Sequence, residues 1–134
     1  MKILMLHGIN HNMFGKRDPA QYGTVTLDEI NASLTALGKE LGADFEHYQT
    51  NSEGDMCERI HQGFTDGVDA VLINAGAWTH YSYGIRDALA LLTCPIVEVH
   101  MSNIRRKLTD IGASWLIQTI REVGYRIRAD ITIS

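Results

Sequence analysis

The residues that could do chemistry gather around one stretch, residues 7–23, HGINHNMFGKRDPAQYG. It carries Asn10, Arg17 and Tyr22, with Gly8, Gly15 and Gly23 where the backbone can take positive φ. A polar loop of this length between a first strand and a first helix exceeds the usual ~2–6 residues, and such loops hold ligands or form lids. Polar residues also end three apolar runs: His7 after ILML, Asn74 after AVLI and His100 after IVEV. The turn after Asn74 adds Trp78, Thr79 and His80. In an open α/β sheet, ligands bind outside the carboxyl ends of the strands, so these positions locate a site without naming its reaction. His7, His80 and His100 are also three imidazoles, a familiar zinc set, with His11 four residues beyond His7. On residues alone that metal reading stays open.

The elements that must position these residues follow from periodicity. Residues 2–6 read as a buried strand. Leu27, Ile30, Leu34, Leu37 and Leu41 recur every three or four residues, an amphipathic helix with Thr26 and Glu29 as a capping box and Gly42 as its stop. Residues 45–49 form a second strand. Residues 52–64 form a second helix with Met56, Ile60 and Phe64 on one face and Gly67 after it. Residues 70–74 are apolar almost throughout, as a strand covered on both faces should be. A helix with Ile85, Ala88, Leu89 and Leu92 on one face follows, then a strand over 96–100 beyond Pro95. Strands joined by such helices imply a parallel sheet with helices on both faces. Leu116, Ile117, Ile120 and Val123 suggest a further helix. From Tyr125 to Ser134 apolar and polar residues alternate, the mark of a strand with one wet face, expected at an edge of the sheet or shared with another subunit. No repeat or linker interrupts residues 1–134, so a single domain is expected.

The 134 residues, 45% hydrophobic and 21% charged, suit one compact core. A net charge of −4, with no basic stripe longer than Arg105-Arg106-Lys107, argues against nucleic acid. The apolar start is too short for a signal peptide or membrane span. Cys57 and Cys94 are far apart with no CxxC, which points to packing roles in a reducing compartment, hence the cytoplasm.

Three runs in order, GINHNMFGKRDPAQYG, INAGAWTHYSYGIRDAL and IVEVHMSNI, resemble the type II 3-dehydroquinate dehydratases, over about residues 3–104. That family typically shows GPNLNxLGxREPxxYG, xNxGxxTHxSxxxRDAL and PxxEVHxSN. The resemblance implies an α/β, flavodoxin-like three-layer sandwich around a central parallel sheet. It also implies conversion of 3-dehydroquinate to 3-dehydroshikimate and water, in biosynthesis of aromatic precursors or in quinate catabolism, with no metal or organic cofactor. His80 and His100 are then accounted for without metal. The family typically assembles as dodecamers built from trimers, so a trimer-based homo-oligomer is implied. Tyr22 would be the base, with Arg17 stabilising its phenolate. Asn10 would stabilise the enolate, and His100 would be the general acid with Glu98 orienting its ring. Asn74, His80, Ser102 and the amide following Met101 would hold the substrate, and Asp87 matches a residue that reaches a neighbouring subunit's site.

The chain departs from the family pattern in three places. His7-Gly8-Ile9-Asn10 stands for Asn-Gly-Pro-Asn, an ungapped reading puts Ile111 where the family has a lid Arg, and the C-terminal order of elements differs. Loss of a carboxylate clamp is worth about 1.5–3 kcal/mol of binding. A homologue that binds a small carboxylate, or serves as a scaffold, without turnover is therefore the alternative.

Overall fold

The computed structural model of the chain describes residues 1–16, 23–99 and 132–133. The apolar N-terminal run forms strand β1 (Lys2–His7), in which Ile3 to Leu6 are fully buried. His7 belongs to the strand as its last residue rather than to the loop. A short 3₁₀ turn (His11–Met13) follows, and then α1 (Leu27–Leu41) leads to β2 (Asp44–Gln49). Helix α2 (Glu53–Asp66), β3 (Ala70–Asn74), a 3₁₀ turn (Gly76–His80), α3 (Tyr83–Ala90) and β4 (Ile96–Val99) come next. A two-residue β5 (Thr132–Ile133) pairs with β4.

The helix ends lie where local chemistry puts them. The Thr26 hydroxyl accepts from the Glu29 amide at 3.2 Å and the Ser52 hydroxyl from the Asp55 amide at 3.2 Å, each satisfying an orphan donor of a first turn. Gly42 and Gly67 close α1 and α2 in the left-handed region, at φ 77° and 67°.

The strand order is β2-β1-β3-β4-β5 with every pairing parallel, a flavodoxin-like sheet of the kind the family resemblance implies. Alternate residues of the sheet face opposite cores. On one side Ile3, Met5, Leu72 and Val97 pack against Ile30 and Leu34 of α1. On the other, Leu4, Leu6, Val71 and Ile73 meet Met56 and Ile60 of α2 and Ile85 and Ala88 of α3. Each such aliphatic burial stabilises by about 1.5–3 kcal/mol.

Two expected helix faces need correction. Phe64 does not share the buried face of α2; it is 53% exposed, and Gly63 takes the inward place. A Cβ at Gly63 would stand 3.1 Å from Leu4 Cδ2, so α2 lies close to the sheet at this position. Leu92 packs against the second core but lies past α3, which ends at Ala90, its amide closing a turn on the Leu89 carbonyl at 3.1 Å. The edge position expected for the last strand agrees with β5, whereas the helix expected around residues 116–123 and the strand's residues 125–131 lie outside the described residues. Among the described residues no helix is long and apolar enough to cross a membrane.

Candidate active site

At the carboxyl ends of the three strands β2, β1 and β3, the side chains turn polar in register. Gln49 pairs with His7, and His7 pairs with Asn74. Gly8 then lies against the end of β3: its amide donates to the Asn74 carbonyl at 2.8 Å and toward His11 Nδ1 at 3.0 Å. A Cβ on Gly8 would sit 2.3 Å from the Ala75 carbonyl oxygen, so no other residue fits this approach. The loop after β1 and the turn after β3 are thereby held as one piece.

Asn10 opens the 3₁₀ turn at φ 68°, the one non-glycine residue with positive φ among the described residues. That conformation costs a non-glycine residue about 1–2 kcal/mol. Its side chain is exposed and takes no part in capping the turn. Its amide donates to Oδ1 of Asn51, the residue just before the Ser52 cap of α2, at 2.8 Å. Asn74 is 1% exposed; its Oδ1 accepts from the Gly76 amide at 3.3 Å, while its Nδ2 finds no partner among the described residues. A buried amide donor without an acceptor is costly unless a ligand supplies one.

Further along the sheet, a cleft of about 350 Å³ is walled by Ile73, Trp78, His80, Ile85, Leu89 and Glu98, among others. Trp78 is buried beneath it, and His80 is exposed. The Thr79 hydroxyl donates to Glu98 Oε1 at 3.3 Å, tying the turn after β3 to β4. Asn10 and Asn74 are not walls of this cleft, so the described residues form two adjoining parts rather than one pocket. Asp87 stands exposed on α3. Arg17, Tyr22, His100, Met101 and Ser102 lie outside the described residues.

His7 has an environment the sequence did not foretell. Its Nε2 bonds Asn31 Oδ1 of α1 at 2.8 Å, and its buried Nδ1 has no partner among the described residues. Burial, reinforced by the nearby His11 and His47 rings, pushes its pKa down to about 3 against the opposing bond from Asn31. His47, hydrogen-bonded through Nε2 to the Thr35 hydroxyl at 2.8 Å, is also lowered by burial. His11 is 3% exposed and stacks on Phe14 with ring centroids 4.5 Å apart. The zinc set suggested by residue type draws no support from His7, which is turned inward onto Asn31. Among the described residues no three His, Cys, Asp or Glu side chains group as metal ligands. Burial also raises the Cys57 thiol, with Glu53, Asp87 and Glu58 adding to it, and raises Cys94; protonated thiols suit packing roles.

Gln49 and Asn51 are site residues that sequence reasoning missed. Gln49 ends β2 and Asn51 lies in the β2–α2 connection, each 41 residues from its partner in the first loop. No local pattern marks them, although QTN directly before the Ser52 cap is a cluster of hydrogen-bonding side chains at a strand end.

Comparison with known proteins identifies the family and agrees with the fold. The family model described as Dehydroquinase class II matches residues 1–123. The 3-dehydroquinate dehydratase of Leptothrix cholodnii is 72% identical over 107 residues, covering 80% of this chain and 72% of that protein. The crystal structure of a type II dehydroquinase from Propionibacterium acnes superposes with a TM-score of 0.72 at 47% identity, covering 76% of this chain and 70% of that one. The type II dehydroquinase from Butyrivibrio crossotus gives a TM-score of 0.72 at 39% identity, with 75% and 70% covered.

Proposed function

Because the chain belongs to the class II dehydroquinase family, we propose that it is a carbon–oxygen lyase that removes water from 3-dehydroquinate to give 3-dehydroshikimate. The observation that carries this reading is the 72% identity to a protein named 3-dehydroquinate dehydratase, over 80% of the chain. The buried Asn74 amide, its Nδ2 without a partner among the described residues, and the exposed Asn10 side chain lend polar character to the strand ends, which supports the reading.

In this reading Tyr22, as phenolate beside Arg17, takes a proton from the carbon next to the ketone. The electron pair moves onto the ketone oxygen, giving an enolate that Asn10 stabilises by hydrogen bonding, directly or through water. The enolate collapses back to the ketone, forms the ring double bond and expels the hydroxyl. His100 donates the proton that lets it leave as water, with Glu98 orienting the imidazole. Asn74 offers its free Nδ2 to a substrate oxygen, and His80, Ser102 and the amide following Met101 complete the grip. Asp87 would serve a neighbouring subunit in a trimer-based homo-oligomer. The protein works in the cytoplasm as one domain over residues 1–134, with no cofactor.

The test is direct. Purified protein and Tyr22→Phe are mixed with 3-dehydroquinate, and the ultraviolet absorbance of the conjugated enone product is followed. Turnover by the wild type and a loss of at least a hundredfold in the variant is expected. Ile111 at the lid position favours one alternative, a retained pocket without catalysis. Dehydroquinate that raises the melting temperature of both proteins with no rise in absorbance would establish that alternative and sink the dehydratase.

A further inference from the structure

Asn10 is the described residue that the dehydratase reading sets at the reacting oxygen, and its placement is not self-supporting. It sits at φ 68°, its side chain does not cap the turn it opens, and it is exposed. Inside its own loop the turn supplies the Met13 amide, 3.0 Å from the Asn10 carbonyl. Its own amide is held from outside the loop, by Asn51 Oδ1 at 2.8 Å.

Asn51 is well suited to be an anchor. It stands between a strand end and a helix cap. The Thr50 amide bonds the His7 carbonyl at 3.3 Å, and the Ser52 amide bonds the Thr50 hydroxyl at 3.0 Å. Ser52 in turn caps α2. The Asn51 Oδ1 accepts a second bond, from Gln49 Nε2 at 3.0 Å, and that same nitrogen reaches the Gly8 carbonyl at 3.2 Å. Gln49 and Asn51 therefore grip the loop at both Gly8 and Asn10 while being fixed by β2 and α2. One acceptor oxygen fixes the Asn10 amide, and with it the φ that aims the Asn10 side chain.

We propose that Asn51 is a positioning residue for the reaction, acting through Asn10: its side-chain oxygen holds the Asn10 backbone in the left-handed conformation that presents the Asn10 side chain to substrate. The inference rests on the dehydratase reading. A group held within a fraction of an ångström of its productive place loses much of its effect when released. Because Asn10 acts on the enolate, the loss falls on kcat rather than on KM.

The experiment compares wild type, Asn51→Ala, Asn51→Asp, Asn10→Ala and the double variant Asn10→Ala/Asn51→Ala by steady-state kinetics on 3-dehydroquinate, with melting temperatures alongside. Asn51→Ala is expected to lower kcat tenfold or more, with KM within about threefold of wild type. Asn51→Asp keeps an acceptor oxygen and is expected to restore kcat to within about threefold. In the double variant, Asn51→Ala is expected to add less than twofold to the loss from Asn10→Ala, since nothing is left to position. Rates are read well below each melting temperature, so a merely loosened fold does not mimic the effect. An active wild type with Asn51→Ala within twofold of it, an aspartate as impaired as the alanine, or independent losses in the double variant would each overturn the positioning role while leaving the dehydratase intact. A wild type that does not turn over overturns both.

Discussion

His7→Asn should remove a large part of the acid sensitivity of this protein. The unfolded imidazole titrates at its ordinary value of 6.5, whereas the folded one resists protonation down to about 3. Between those values the unfolded chain binds a proton that the folded chain refuses. Stability is therefore complete above pH 6.5 and falls as the pH drops through the window. Each pH unit well inside it costs up to about 1.4 kcal/mol. From pH 7.5 to pH 4.5 the penalty from this one ring reaches about 2.5 kcal/mol, a large fraction of a typical domain's 5–15 kcal/mol. His47, lowered in the same direction, adds to the slope in both proteins and cancels in the comparison. The assay is urea unfolding of wild type and His7→Asn at half-unit steps between pH 4.5 and 7.5. The variant loses the Nε2 bond to Asn31 and can start less stable, but its curve should be flatter, so the two converge toward low pH by about 2.5 kcal/mol. Parallel curves would refute the reasoning, because they would mean that the ring is already charged or well solvated in the folded state.

Two further substitutions test the frame that holds the site. Gly8→Ala forces a Cβ to within 2.3 Å of the Ala75 carbonyl oxygen, so β1 and the turn after β3 must part; a loss of about 3 kcal/mol in urea unfolding is expected, and a loss under ~0.5 kcal/mol would contradict the close approach. Thr26→Ala removes the acceptor for the Glu29 amide and should cost about 1 kcal/mol by the same measurement, without altering the pH slope that belongs to His7; no change would show that the cap is dispensable.

Local signals account for what the sequence disclosed. Thr26, Gly42 and Gly67 act on their own neighbours, so the helix ends they form can be read locally. The apolar AVLI run before Asn74 could only be a strand covered on both faces, and so it is. Phe64 shows where periodicity misleads: an aromatic and a glycine stand side by side in the sequence, apolar type favours the aromatic, and the glycine takes the inward place. The strand ends were legible as a location because β/α alternation dictates where ligands sit. The partners of Asn10 and His7 were not. Asn51 and Asn31 reach them across 41 and 24 residues, through pairings that exist only after the strands are in order. His7 read as a residue facing the site; α1 closing over it made it an interior residue instead.

The central place of β1 has a kinetic side. It is made early, yet both of its edges are filled by strands that come later, β2 and then β3. Ribosomes add about 5–20 residues each second, so the ILML run waits several seconds for residues 70–74 to reach it. During that time one of the most apolar segments of the chain has at most one of its two edges paired and lacks one of its two cores. The Gly8–Asn74 junction, which couples the two halves of the site, closes later than any hydrogen bond within α1 can. Newly made chains are thus most open to association through this edge until β3 has emerged. Slowing synthesis before that point would lengthen the exposure, whereas slowing it afterwards would give β1 time to be enclosed.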